Sequence, residues 1–424
     1  MLTKLRPTLC ALLILVLLLS MIPPASANEY SAEAREISAT ALVTDMTGLT
    51  DCDRLFDGNT AKSVVLPDRT RLTLEHPEGI GSIYIQFNME YGPCTITDNS
   101  TGRTYWFGRD SFLHDFWDLE ATFGTAPTSI DLRFANGSAE ILEMNVFTSG
   151  QTPDFVQKWS APKEGATDLI LFATHGDDDQ LFFAGLLPYY AGELDYEVLV
   201  VYLTGHLNKT TVRRHEMLNG LGTVGVDTYP VFGPFGDYYT GSIQDAYHMH
   251  AQRGQTKEEL REFVIEQIRR YKPLVTVGHD LRGGEYGHGQ HMMYADLLCF
   301  AVKNANDPAL FPASEKRWGT WDVPKTYLHL WKENQIFMDW DQPLSRFDGM
   351  TAYQVTKYLG FPQHESQYDG FWWYLSGKER SDEFSYLSPR KYGLYRSTVG
   401  PDETGQDMFE NLIPYAFRSS VSAP

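Results

Sequence analysis

The stretch that most constrains this chain is Leu169-Ile170-Leu171-Phe172-Ala173, which runs straight into Thr174-His175-Gly176-Asp177-Asp178-Asp179. Five apolar residues without polar alternation read as a short strand buried on both faces, and such a strand belongs to a layered α/β sheet. Gly176 stands where the strand turns over, and Leu181-Phe182-Phe183-Ala184 reads as the start of the next helix. Ligands of open α/β sheets bind just beyond the carboxyl ends of the strands. One imidazole and three carboxylates crowded there are costly unless a positive charge sits among them, and a divalent metal is the simplest such charge. The competing reading is a solvated acidic helix N-terminus, which the helix dipole favours.

A second stretch supports the metal reading. Gly284-Glu285-Tyr286-Gly287-His288-Gly289-Gln290-His291 follows another apolar run, Leu274-Val275-Thr276-Val277. His288 and His291 are three residues apart, which puts them on one face of a first helical turn. That helix continues through Met292-Met293-Tyr294-Ala295-Asp296-Leu297-Leu298. Taken alone, two surface histidines would explain the spacing. Two strand-end clusters that together offer His, Asp and His fit a catalytic zinc site, with three protein ligands and one position for water.

The two clusters resemble the signature motifs of the PIG-L/LmbE-like deacetylases, a strand followed by Ala-His-Pro-Asp-Asp-Glu and a later Gly-His-Pro-Asp-His-like segment. Here they stand as Thr-His-Gly-Asp-Asp-Asp and Gly-His-Gly-Gln-His, departing at Gly176, Asp179 and Gln290. The resemblance runs from about Asp168 to Tyr368 and implies a zinc-dependent enzyme that removes N-acyl groups from N-acetylglucosamine-type sugars. Carried over by position, His175, Asp178 and His291 are the metal ligands, for Zn²⁺ or else Fe²⁺ or Co²⁺. Asp177 is then the general base toward a water whose pKa the metal lowers. His288 stabilises the oxyanion or protonates the leaving amine, and Tyr286 donates its hydroxyl to the same oxyanion; for Tyr286 a packed loop aromatic is the alternative. Arg213, Glu216, Gly220 and Val224-Gly225-Val226 are similar to the family's Arg-x-x-Glu helix. This implies an Arg213 that binds sugar hydroxyls and is positioned by Glu216, against the alternative of an exposed intrahelical pair. Lys357, His364, Ser366 and Gln367 resemble a late Lys…His-x-Ser-Gln segment expected at the rim of the site.

The rest of the chain sets the context. Residues 1–27 read as a signal peptide: Lys4 and Arg6, an apolar run from Ala11 to Met21, and Ala25-Ser26-Ala27 before the cleavage point. An uncleaved anchor is the alternative, and no later stretch is long enough to span a bilayer. Loss of Lys4 and Arg6 takes the formal charge from −20 to −22. That charge argues against nucleic acid and anionic membranes as partners and is compatible with a secreted protein acting on neutral or cationic sugar. The mature cysteines are Cys52, Cys94 and Cys299. An oxidising compartment permits a Cys52–Cys94 disulfide, and two unpaired buried thiols are equally compatible.

Residues 28–150 have a β texture, with short alternating runs such as Ser82-Ile83-Tyr84-Ile85-Gln86-Phe87 and Ile130-Asp131-Leu132-Arg133-Phe134. Leu55-Phe56-Asp57-Gly58-Asn59 and the closing run from Ile141 to Phe147 resemble the galactose-binding-like, discoidin-type sandwich. This implies a carbohydrate-binding domain for cell-wall or extracellular glycan. Trp106, Phe112, Phe116 and Trp117 are either a sugar platform or sandwich core. Residues 151–165 form a Pro/Gly-containing linker, and 166–424 alternate strand and helix as a Rossmann-like, mostly parallel sheet with helices on both faces. Thr256-Lys257-Glu258-Glu259 is a capping box. No Gly-x-Gly-x-x-Gly occurs at the first turn, so no nucleotide cofactor is indicated. The C-terminal part, with Phe371-Trp372-Trp373-Tyr374, reads as an aromatic-rich extension. Two other functions fit the pattern: a carbohydrate-binding surface protein with a decayed hydrolase, or a metal amidase acting on a non-sugar N-acyl compound.

Overall fold

The structure, a computed structural model, describes residues 32–45, 52–68, 70–109, 112–135, 139–206 and 211–418. The expected signal peptide lies outside the described residues. No helix among the described residues is long and apolar enough to cross a membrane.

Nine short strands make two antiparallel sheets in the first part of the chain. One contains β1 (Leu42–Asp45), β3 (Arg71–Glu75), β8 (Ser129–Phe134), β5 (Cys94–Asp98) and β6 (Thr104–Phe107), in that order. The other contains β2 (Val64–Leu66), β9 (Ala139–Phe147), β4 (Ser82–Phe87) and β7 (His114–Asp118). Their inner faces share one apolar core that includes Leu72, Leu74, Ile83, Ile85, Ile96, Ile130 and Trp117. Trp117 is therefore a core residue, whereas Trp106 on the edge strand β6 is half exposed. Cys94 and Cys299 are free and buried, so no bridge joins Cys52 to Cys94.

The second part is built on a seven-stranded sheet in the order β12-β11-β10-β13-β14-β16-β15. The ranges are β10 Leu169–Ala173, β11 Val198–Thr204, β12 Val231–Phe235, β13 Val275–Gly278, β14 Lys325–His329, β15 Gln335–Phe337 and β16 Lys391–Ser397. The first five strands pair in parallel and the last two close the edge antiparallel. Strand β10 is buried on both sides: Leu169, Leu171 and Ala173 join one core, Ile170 and Phe172 the other. Burial of each of the four larger side chains, Leu169, Ile170, Leu171 and Phe172, contributes about 1.5–3 kcal/mol. The chain runs outward one way from β10 to β12 and the other way from β13 to β14. The β10/β13 boundary is thus the switch point at which such sheets open a crevice.

Five helices matter for the site or its support: α1 (Val212–Thr223), α2 (Ile243–Ala251), α3 (Lys257–Tyr271), α4 (Gly289–Asn304) and α5 (Glu365–Leu375). The Thr256/Glu259 capping box starts α3, with both reciprocal bonds made. The helix expected to start at Leu181 is instead split into a single turn, Asp178–Leu181, and a π-helical segment, Pro188–Glu193. Gly185, at φ +94°, breaks it, and a Cβ there would lie 2.5 Å from Trp340 Cγ. The packing of Trp340 therefore sets that break.

The sandwich and the parallel sheet share buried contacts. Leu113 packs with Leu218 and Tyr229. The Tyr229 hydroxyl donates to the His114 carbonyl. Arg214 is buried and donates to Glu90 at 2.6 Å and to the Gly205 carbonyl at 2.8 Å. His114 Nε2 and His215 Nδ1 meet at 2.8 Å.

Candidate metal centre

Every parallel strand ends on a titratable residue. His175 follows β10, His206 follows β11, Asp237 follows β12, His279 follows β13, and His329 is the last residue of β14. The sheet gathers these ends at one edge, and the loops after β10 and β13 meet at the switch point.

There His175 Nδ1, Asp178 Oδ2 and His291 Nε2 converge. They are 3.2 Å apart for His175–Asp178, 3.1 Å for His175–His291 and 3.3 Å for His291–Asp178. A tetrahedral Zn²⁺ with ligands at 2.0–2.1 Å has ligand–ligand edges of about 3.3–3.4 Å. All three side chains are buried, and so are Asp177 and Asp179, which excludes the solvated helix N-terminus.

The hydrogen-bond network assigns the tautomers. His291 Nδ1–H donates to Glu285 Oε2 at 2.7 Å, leaving Nε2 as a bare lone pair. His175 Nε2 faces Asp237 Oδ1 at 3.2 Å and Gln290 Oε1 at 3.4 Å, which leaves Nδ1 bare as well. Asp178 Oδ2 is held by the His175 backbone N–H at 2.7 Å. Three converging electron pairs repel unless a cation lies between them, so this donor set fits a divalent metal. Without one, a proton takes that role: burial alone would depress the His175 imidazole, yet Asp178 and Asp237 lift it well above its usual value. Burial likewise opposes the Asp178 charge, and His291 and His175 hold its pKa well below the usual range.

His279 stacks on His291, with ring centroids 4.1 Å apart, and lies 3.4 Å from Asp178. Asp178, His279 and His291 also lie close enough to share an ion, but the His279 Nε2 lone pair already accepts the Thr174 backbone N–H at 3.0 Å. Beneath the ligands lies the fully buried Glu285 carboxylate. It meets His291 at 2.7 Å, His279 at 3.1 Å, His329 at 2.9 Å and the Asp280 backbone N–H at 3.0 Å. Burial opposes its charge, and the three imidazoles hold its pKa well below the usual carboxylate value. Outer-sphere carboxylates of this kind fix the orientation of metal-binding histidines. Glu285 holds φ +58°, a costly conformation for a residue with a side chain, maintained by three hydrogen bonds and the His279 contact at once.

The other candidate residues surround a cavity of about 180 Å³ lined by His175, Asp177, Asp178, Arg213, Asp237, Tyr286 and His288, among others. Asp177 Oδ1 accepts from Arg213 Nη2 at 3.1 Å. Burial raises the Asp177 pKa and Arg213 opposes the rise. Glu216 does not hold Arg213: it accepts from the Ser366 N–H and hydroxyl, both at 2.7 Å, and so ties α1 to α5. His288 is the N-cap of α4, its Nδ1 accepting the Gln290 N–H at 3.1 Å. Burial, together with His291 and His175, pushes its pKa down to about 3. A neutral imidazole bonded this way offers Nε2–H as a donor, which disfavours the alternative of an imidazolium acid. Tyr286 packs its ring near His288 and His291, and burial raises its pKa, so its hydroxyl keeps its proton. Gln367 and Phe371 line the cavity, whereas Lys357 is buried away from it on Glu379 and the Lys378 carbonyl.

Two motif departures have local causes. A Cβ at Gly176 would lie 1.8 Å from Met217 Cε, so Met217 must move before proline fits. Asp179 is bonded to Gln180 Nε2 at 2.7 Å and not to His175, Asp178 or His291, with burial raising its pKa to about 7. The residues that sequence reasoning missed are Glu285, Asp237 and His329. Their common signal is position at or just past a strand end, except for Glu285, which lies within the quoted second motif.

An α/β sheet with a His/Asp/His centre at its switch point defines a candidate metallohydrolase. Residues 170–302 match the family model described as PIG-L: GlcNAc-PI de-N-acetylase. The chain is 26% identical over 179 residues to 1D-myo-inositol 2-acetamido-2-deoxy-alpha-D-glucopyranoside deacetylase 2 of Saccharopolyspora erythraea, covering 37% of this chain and 63% of that one. Identity to the corresponding deacetylase 1 of Frankia alni is 22% over 290 residues, covering 57% of this chain and 99% of the relative. Among solved structures, N,N'-diacetylchitobiose deacetylase from Pyrococcus horikoshii aligns with a TM-score of 0.37 and 13% identity, over 60% of this chain and 86% of that one.

Proposed function

We propose that this protein is a metal-dependent hydrolase that removes the N-acetyl group from an N-acetylglucosamine-type sugar, acting outside the cell once residues 1–27 are removed. The observation that carries this reading is the convergence of three bare donor atoms beside Asp177, in a cavity that also presents Tyr286 and His288. The matched family description and the names of the two curated relatives supply the substrate class.

His175, Asp178 and His291 hold the ion, taken as Zn²⁺ with Fe²⁺ or Co²⁺ as alternatives. The bound ion supplies Lewis acidity toward a carbonyl oxygen and toward water. The chain's own residues do the rest. Asp177, whose charge Arg213 stabilises against the burial that opposes it, takes the proton from the attacking water. The Tyr286 hydroxyl and the His288 Nε2–H donate to the oxygen that gains charge as the acetamide carbon becomes tetrahedral; one such donor is worth about 10²–10³ in rate. Asp177 then returns its proton to the leaving amine. Arg213 also lines the cavity and offers its remaining donors to sugar hydroxyls.

The test is acetate release from N-acetylglucosamine, chitooligosaccharides, glycolipid headgroups and peptidoglycan fragments, with and without chelator. Release from at least one of them, abolished by chelator and restored by metal, is expected. Metal-loaded protein that releases acetate from none refutes the substrate class.

A further inference from the structure

The weakest-looking part of the centre is the support of His175. His291 is anchored by a buried carboxylate, but Asp237, which faces His175 Nε2 at 3.2 Å, sits on a loop with its side chain 38% exposed. An exposed aspartate on an untethered loop would lose orientation entropy in holding an imidazole. The structure supplies the tether. Gln290, fully buried in the first turn of α4, accepts the Tyr238 backbone N–H at 2.8 Å and donates Nε2 to the Gly236 carbonyl at 2.9 Å. It thus grips the residue on each side of Asp237. The same Nε2 lies 3.0 Å from His250 Nε2 on α2, and the Tyr238 ring packs against His250 and Arg253. Its Oε1 also faces His175 Nε2 at 3.4 Å.

We infer that Gln290 is a positioning residue that acts through Asp237, clamping the Gly236–Tyr238 loop so that the Asp237 carboxylate accepts from the His175 Nε2–H and Nδ1 turns toward the metal. This rests on the metal reading above. It also accounts for glutamine at this position. An aspartate carries only acceptors and cannot donate to the Gly236 carbonyl, and glutamate has the length but not the donor.

The test is a double-variant cycle on the full chain, read as Zn²⁺ affinity by competition with a chelator and as the visible spectrum of the Co²⁺-loaded protein, with no substrate present. Asp237→Ala should weaken Zn²⁺ binding about 10-fold, within the 10–100-fold range of outer-sphere partners, and alter the Co²⁺ bands. Asp237→Asn, which keeps an acceptor, should stay nearer wild type. Gln290→Ala should lose at least as much as Asp237→Ala, because it removes both the loop clamp and the Oε1 that faces His175 Nε2, and the double variant should lose no more than Gln290→Ala. Should Gln290→Ala not fold, Gln290→Glu carries the test: it keeps the acceptor for Tyr238 N–H and should give an intermediate loss. Asp237→Ala with wild-type affinity and spectrum, or losses that multiply in the double variant, overturns the inference. Wild-type protein that takes up no metal overturns the metal reading and this inference with it. Absent deacetylation with the cycle intact touches only the substrate class.

Discussion

Replacing Glu285 with glutamine changes one atom and should disable the centre. Four groups surround the carboxylate: His291 donates to Oε2, His329 and the Asp280 backbone donate to Oε1, and His279 Nδ1 lies 3.1 Å from Oε2 as an ion-pair contact. Glutamine has an acceptor on one side only, so one side of this set must face an NH₂. With charge-assisted bonds worth ~1.5–3 kcal/mol each, losing one or two costs about 1.5–6 kcal/mol, a large fraction of a domain's stability. His291 can relieve the clash by moving its proton to Nε2, the atom that faces His175 and Asp178. Zn²⁺ affinity should then fall about 10–100-fold. The assay is guanidinium unfolding with and without Zn²⁺, alongside chelator competition. Glu285→Gln should lower the midpoint in both conditions and shrink the stabilisation that Zn²⁺ confers. A variant with wild-type midpoint and wild-type Zn²⁺ affinity would refute the tautomer argument and with it the assignment of His291 Nε2 as a ligand.

Asp177→Asn should keep metal content nearly intact and lose about 10²–10⁴ in turnover, whereas Asp178→Asn should lose metal first; elemental analysis beside acetate release separates them. The His114–His215 contact should make the protein acid-sensitive: burial pushes the first imidazole to about 4 and the second to about 3. Their unfolded values are near 6.5, so the unfolded chain takes up protons that the folded chain refuses. Stability is then full above pH 6.5 and falls toward pH 4, by about 3 kcal/mol for His114 alone. His114→Gln should flatten that part of the pH–stability curve measured by denaturant titration. Removal of residues 1–162 should yield insoluble or destabilised protein, because it uncovers Leu218 and Tyr229 and strips Arg214 of Glu90; a soluble fragment with an unchanged melting temperature would contradict this.

The sequence by itself determined the strand at Leu169–Ala173 and the class of sheet, and through the motif resemblance brought forward His175, Asp177, Asp178 and His291 as candidates, because strand burial and motifs are local properties of the chain. It also supplied Tyr286 and His288, though not the direction of the His288 proton, which depends on α4 offering Gln290 N–H to Nδ1. Tertiary structure alone decided the support of the centre. Arg213 bonds Asp177 while Glu216 bonds Ser366, a choice made by how α1 packs on α5 rather than by the three-residue spacing that pairs them on paper. Glu285 is enclosed because β13 and β14 are neighbours in the sheet, which brings His279 and His329 to one carboxylate although about fifty residues separate them in the chain. Asp237 reaches His175 only because β12 lies on the far side of β11 and its loop folds back onto the start of α4. Contacts of that kind join residues whose sequence separation carries no periodic signal, so their partners become defined only when the sheet order is.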